Sequence, residues 1–140
     1  MAYNENRQVI RYSMDQITMT STDKTRAFIG PKGRKGTLLD YGIDGISTTT
    51  AGGTNTPQVK VGTVGTSTAY GAAFDVGALT APNAKSVAST YRPTDTAFYS
   101  TYITNDTLAA DTLFVLTCVA ATGSGAAGVG NPYCVVAWDD

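Results

Sequence analysis

Histidine is absent from these 140 residues, and glutamate occurs once, at Glu5. Histidine is the side chain that changes charge near neutral pH and the commonest metal ligand. Without it a serine–histidine triad is impossible, and with a single glutamate the means of general acid–base chemistry are few. The ten aspartates are a normal number for a soluble surface. No enzyme activity, no cofactor and no bound metal are therefore expected. Charged residues are only 15% of the chain, against about 25% in ordinary soluble domains. No run of 18 or more apolar residues is present, which excludes a membrane-spanning helix. The first residues contain no apolar signal region, so synthesis in a cytosol-like compartment is expected. Two cysteines, Cys118 and Cys134, do not make a disulfide framework, and reduced thiols are the expectation.

What is abundant is small. Threonine, alanine and glycine supply 23, 18 and 15 residues. Threonine suits the pleated, half-buried surface of a strand. A core thin in large apolar side chains gains less from burial, at about 25 cal/mol per Å², and such a chain gains further by burying surface against partners. Length alone sets one domain, residues 1–140, as the default.

The net charge is −1 but is unevenly placed. Residues 1–36 carry seven cations against three acids, and residues 37–140 carry three against eight. Lys24, Arg26, Lys32, Arg34 and Lys35 stand close together in the chain and form a candidate docking region for an acidic neighbour. Few aromatics are interleaved with these cations, so nucleic acid is not the expected partner.

Period-two alternation and turn punctuation dominate, while helical periodicity is almost absent. Strands are expected over Gln8–Tyr12, Gln16–Thr20, Arg26–Ile29, Gly36–Ile46, Val59–Thr63, Thr68–Val76, Thr96–Thr104, Thr112–Ala120 and Tyr133–Trp138. Lys85–Tyr91 reads as strand or short helix. Lys32–Gly36 reads as a mobile basic loop after the breaker pair Gly30-Pro31. Residues 47–57, rich in Thr and Gly, read as a loop. Eight or nine short strands with frequent turns predict an all-β fold, an antiparallel β-sandwich that is jelly-roll-like, with an extended N-terminal segment. Residues 1–25 and 47–57 are the candidate arms.

The last two strands yield a specific geometry. A hairpin through the Gly/Ala-rich segment 123–130 would set Cys118 against Cys134, Leu116 against Val136 and Phe114 against Trp138. All six then share one face, and that face is expected to be the centre of the core.

Several motifs fail on their context. Gly123-Ser124-Gly125-Ala126-Ala127-Gly128 spells a dinucleotide fingerprint, but Gly130 and Pro132 follow where the chemistry needs a helix. Gly30–Thr37 has the composition of a phosphate loop with the order Lys-Gly-Thr in place of Gly-Lys-Thr. Asp40 and Asp44 are too few oxygens for a calcium loop. Asn105-Asp106-Thr107 spells a glycosylation acceptor, but is better read as a turn before Leu108.

Residues 59–140 carry a likeness. Phe74-Asp75-Val76-Gly77, a Pro82-Asn83 turn and Asn105-Asp106-Thr107-Leu108 lead into Leu113–Ala121; a Gly/Ala/Ser linker and a closing Cys134–Trp138 strand follow. This layout resembles the small cement, or decoration, proteins of tailed-bacteriophage heads, especially the jelly-roll kind of short-tailed phages. The resemblance implies a virion protein without catalysis, assembled in the host cytoplasm. It would bind the outer surface of the head shell, bridge major capsid protein subunits and self-associate as a dimer or trimer. The alternative is a fibre, tail or host-glycan-binding module, in which tyrosines and Trp138 would stack on sugars.

Overall fold

The computed structural model describes residues 8–87 and 102–139. The strands among them are β1 (Gln8–Ser13), β2 (Ile17–Thr18), β3 (Lys24–Phe28), β4 (Gly36–Ala51), β5 (Gln58–Gly62), β6 (Gly71–Asp75), β7 (Lys85–Ser86), β8 (Thr107–Leu108), β9 (Phe114–Val119) and β10 (Ala127–Trp138). They form two antiparallel sheets. The first runs β1-β10-β4-β7, with β2 beside β10 and β8 beside β4; the second runs β3-β9-β5-β6.

The pairing is nested. β5 pairs β6, β4 pairs β7, β3 pairs β9 and β1 pairs β10, each antiparallel. The chain is thus one long hairpin with its tip between β5 and β6, wound until β10 also meets β4 and β9 also meets β5. That is the jelly-roll arrangement of a sandwich.

The expected pairing of the last two strands is corrected. β9 and β10 lie in different sheets. Phe114, Leu116, Cys118, Cys134, Val136 and Trp138 are all buried in one core, but they meet across the sandwich instead of side by side. Both arrangements put the same residues on the same interior, so alternation does not distinguish them. β9 is buried on both its faces from Phe114 to Cys118, and β3 and β5 flank it. β10 also begins earlier than expected and takes in the second half of the glycine-rich linker.

Two further expectations change. Residues 47–51 are the end of the sixteen-residue β4, not loop. Residues 8–25 are not a free arm: β1 and β2 pair with β10, and Met14 and Met19 are in the core. Residues 52–56 pack on the linker after β9, where Asn55 and Thr122 exchange main-chain bonds and Asn55 Nδ2 donates to Thr122 Oγ1 at 3.1 Å. Asn105 turns the chain as expected, its Oδ1 accepting from the Thr107 N–H at 3.2 Å. The expected strand Thr96–Thr104 lies outside the described residues except for its end, where Ile103 bridges Gly71.

Rings compensate for the shortage of aliphatic side chains. Tyr12, Phe28, Phe114 and Trp138 form one cluster, with centroids 4.9 Å apart for Tyr12–Phe114 and 5.9 Å for Phe114–Trp138. The Trp138 indole N–H donates to the Tyr12 hydroxyl at 2.8 Å, which satisfies both polar tips inside the cluster. A second cluster joins Tyr41, Phe74 and Tyr102, and the Tyr41 hydroxyl donates to the Ala72 and Tyr102 carbonyls. Threonine serves loops as well as strands. Buried Thr50 donates through Oγ1 to the Gly77 carbonyl and accepts from the Leu79 N–H, both at 2.6 Å.

Both thiols are free and buried. Burial pushes each from its ordinary value of 9.0 up to about 12. The unfolded chain therefore releases these protons first as pH rises. Stability from the thiols is intact below pH 9 and falls through the window up to about pH 12. The Tyr12, Tyr41 and Tyr133 phenols, also raised by burial, add to the same loss. Thermal melts across this range will show a level midpoint followed by a fall, and a midpoint level throughout would contradict the burial. A maleimide will label neither thiol in the native chain and both in denaturant. In urea unfolding, Trp138→Ala will cost about 3–5 kcal/mol. Tyr12→Phe, which leaves the indole N–H unpaired, will cost about 1–3 kcal/mol.

Candidate docking face

The loop between β3 and β4 joins the two sheets at the end of the sandwich where Trp138 lies. The loop expected to be mobile from its composition is tied at several points. Gly30 and Gly36 sit against the Trp138 indole so closely that a β-carbon would come within 2.2 Å and 2.7 Å of ring atoms. Arg34 N–H donates to the Pro31 carbonyl at 3.2 Å, closing a turn. Gly33, at φ +76°, supplies the left-handed residue of that turn, and its N–H donates to Asp111 Oδ1 at 2.8 Å. The Asp139 N–H donates to the Lys35 carbonyl at 2.9 Å.

The five candidate docking cations divide into two groups. Lys32 and Lys35 are exposed and Arg34 is half-buried. They project from this held loop, and no ion pair joins them to a described residue. Lys24 and Arg26 lie on β3 in the same phase as Phe28, turned toward the seam between the two sheets. There Lys24 Nζ donates to the Thr18 carbonyl. Arg26 Nη1 donates to the Ser13 carbonyl at 3.0 Å, lies 3.5 Å from Asp15 Oδ2, and stacks its guanidinium 5.3 Å from the centre of the Phe28 ring. Charged side chains are a common protection for an edge strand, and these two also tie β3 to the ends of β1 and β2.

An apolar element of the face is invisible in the sequence. Phe28↔Phe114 is the last pair of the β3–β9 register, and Ile29 and Leu113 are the residues that flank it. Both alternate to the outer side, and they are 56% and 45% exposed. Ala27 and Val115 continue the same side. The only cue was an isoleucine before Gly30-Pro31 and a leucine before β9, which mean nothing until β3 and β9 are known to pair. The face thus presents an aliphatic pair next to a loop bearing three unpaired cations, which suits an apolar contact ringed by carboxylates.

Among the described residues no cluster of three His, Cys, Asp or Glu side chains is placed to hold a metal. On the outer face of the first sheet, Arg11 bonds Asp44 at 2.6 Å and stacks 4.2 Å from the centre of the Tyr133 ring. Tyr133 Oη donates to Asp40 Oδ2 at 3.4 Å. These are cross-strand ties that satisfy one another. Compared with protein families, with curated proteins and with solved structures, the chain matches none.

The loop's dependence on the indole is testable. Gly30→Ala will cost about 1–3 kcal/mol by forcing a methyl group into the ring, and will speed tryptic cleavage after Lys32, Arg34 and Lys35 relative to the wild type. Equal cleavage rates would show that the indole does not hold the loop.

Proposed function

We propose that this chain is a non-enzymatic structural protein of a phage particle, which binds the outer surface of the head shell and stabilises it by bridging major capsid protein subunits. The single observation behind it is the face just described: Lys32, Arg34 and Lys35 on a held loop, beside exposed Ile29 and Leu113. A preformed cationic loop binds without a large ordering cost. A shell-wide cement needs only modest affinity per contact, because linked contacts multiply. The sequence likeness of residues 59–140 to head cement proteins supports the same choice of partner. The rival glycan-binding module loses its best platform, since Trp138 is 1% exposed and packed against Gly30, Gly36 and Phe114.

The test is co-sedimentation with purified heads stripped of this protein. The triple variant Lys32→Glu, Arg34→Glu, Lys35→Glu will bind at least about tenfold more weakly, a loss of about 1.4 kcal/mol or more. Wild-type binding will weaken with salt, and the thermal midpoint of the variant will match the wild type. Wild-type affinity in the variant would overturn the proposal.

A further inference from the structure

Each sheet has two edges, and among the described residues β1 is the longest and most regular of them. On β6, Gly71 bridges Ile103, and the Tyr70 carbonyl accepts from the Thr104 and Asn105 N–H groups. On the far side of β4 lie only the two-residue strands β7 and β8. β3 is five residues long, and its Lys24 and Arg26 reach across that edge to the Thr18 and Ser13 carbonyls. β1 differs from all of these. It is six residues long, without glycine or proline, and its register with β10 runs unbroken from Gln8↔Trp138 to Ser13↔Tyr133. Val9 on it is 59% exposed. A regular, uncovered edge of this kind is a template for another strand.

The backbone shows which groups that edge offers. The Met14 N–H points at β10, donating to the Pro132 carbonyl at 3.0 Å. Successive residues of a strand turn their N–H and C=O groups to opposite sides. Ser13 therefore faces away from β10, and its carbonyl accepts from Arg26 Nη1 at 3.0 Å. By the same alternation Arg11 and Val9 face the open side, each with an N–H and a C=O.

We propose that this edge pairs with the same strand of a second copy of the chain, antiparallel about a two-fold axis at Ile10, so that the two first sheets become one continuous sheet. Faces must match across the axis, because paired residues point to the same side. Two registers then keep both Val9 and Arg11 paired within Gln8–Ser13. The one centred on Arg11 sets two arginines directly opposite, which is destabilising, and spends a bond on the Ser13 carbonyl that Arg26 already uses. The one centred on Ile10 pairs Val9 with the second copy's Arg11 twice over, making four main-chain hydrogen bonds, and sets Ile10 on Ile10. It also lays exposed Val9 against the aliphatic stem of an arginine whose charge is already met by Asp44 at 2.6 Å. A net charge of only −1 sets little general repulsion against self-pairing. This pairing stands independently of the shell-binding proposal, since it uses a different edge and no shared residue.

The experiment is sedimentation velocity on the full chain and three variants. The wild type will sediment at twice the chain mass at micromolar concentration. Val9→Pro removes an N–H that faces only the open side, a position where an edge strand tolerates proline. It will halve the mass while leaving the β circular dichroism unchanged. Ile10→Cys places the new thiol opposite itself in a non-hydrogen-bonded pair, close enough to bridge, and will oxidise to a covalent dimer. Arg11→Cys will not, and the native thiols are buried. A wild type that stays monomeric or forms trimers overturns the proposal, as does a folded Val9→Pro that remains dimeric. Should Val9→Pro fail to fold, the cysteine variants decide, and cross-linking through residue 11 instead of residue 10 overturns the register.

Discussion

The contact of the Trp138 indole with two glycines is the constraint on which the rest of the structure depends. Gly30 and Gly36 bound the β3–β4 loop, and each lies against the ring where no side chain fits. The same ring touches Tyr12 and Phe114 and donates its N–H to Tyr12. One side chain therefore joins the first strand, the last strand, the loop between the sheets and the centre of the opposite sheet. Close packing makes such a meeting point intolerant of small changes in volume. The cationic loop owes its shape to a hydrophobic contact, and the chemistry of its surface cannot be separated from the packing beneath it.

That contact also explains the odd composition. A chain poor in leucine and phenylalanine fills its interior by bringing backbone up to aromatic faces. Gly71 lies against Tyr41 as Gly30 and Gly36 lie against Trp138. Glycine read from the sequence as punctuation is here partly packing material. Threonine, read as strand former, also fastens loops through Thr50, Thr63 and Thr122.

The strand positions and the all-β class were legible because period two survives in Val59–Thr63 and a short apolar run marks Thr112–Ala120. The core residues of β9 and β10 were legible for the same reason. Their pairing was not, since alternation says which residues share an interior and nothing about which sheet carries them. The same gap hid the candidate face. Lys32, Arg34 and Lys35 follow from local chain chemistry, whereas Ile29 and Leu113 become neighbours only through the pairing of distant strands. Lys24 and Arg26 looked equivalent to the loop cations because sequence distance ignores strand phase, and phase turns them toward β1 and β2, whose ends they bond.

The nesting of the strands sets an order in time. β10 runs through the middle of the first sheet, between β1 and β4, yet it follows every other described strand in the chain. Until residues 127–138 leave the ribosome, β1 has no partner among the described strands and Tyr12 has no indole to bond. The β5–β6 pair can close early from neighbouring residues, but the first sheet waits for the longest-range contact in the fold, and contacts of that kind make folding slow. During that wait the uncovered strands are open to the wrong neighbours. A chain caught in that state stays half-wound until β10 slides between β1 and β4.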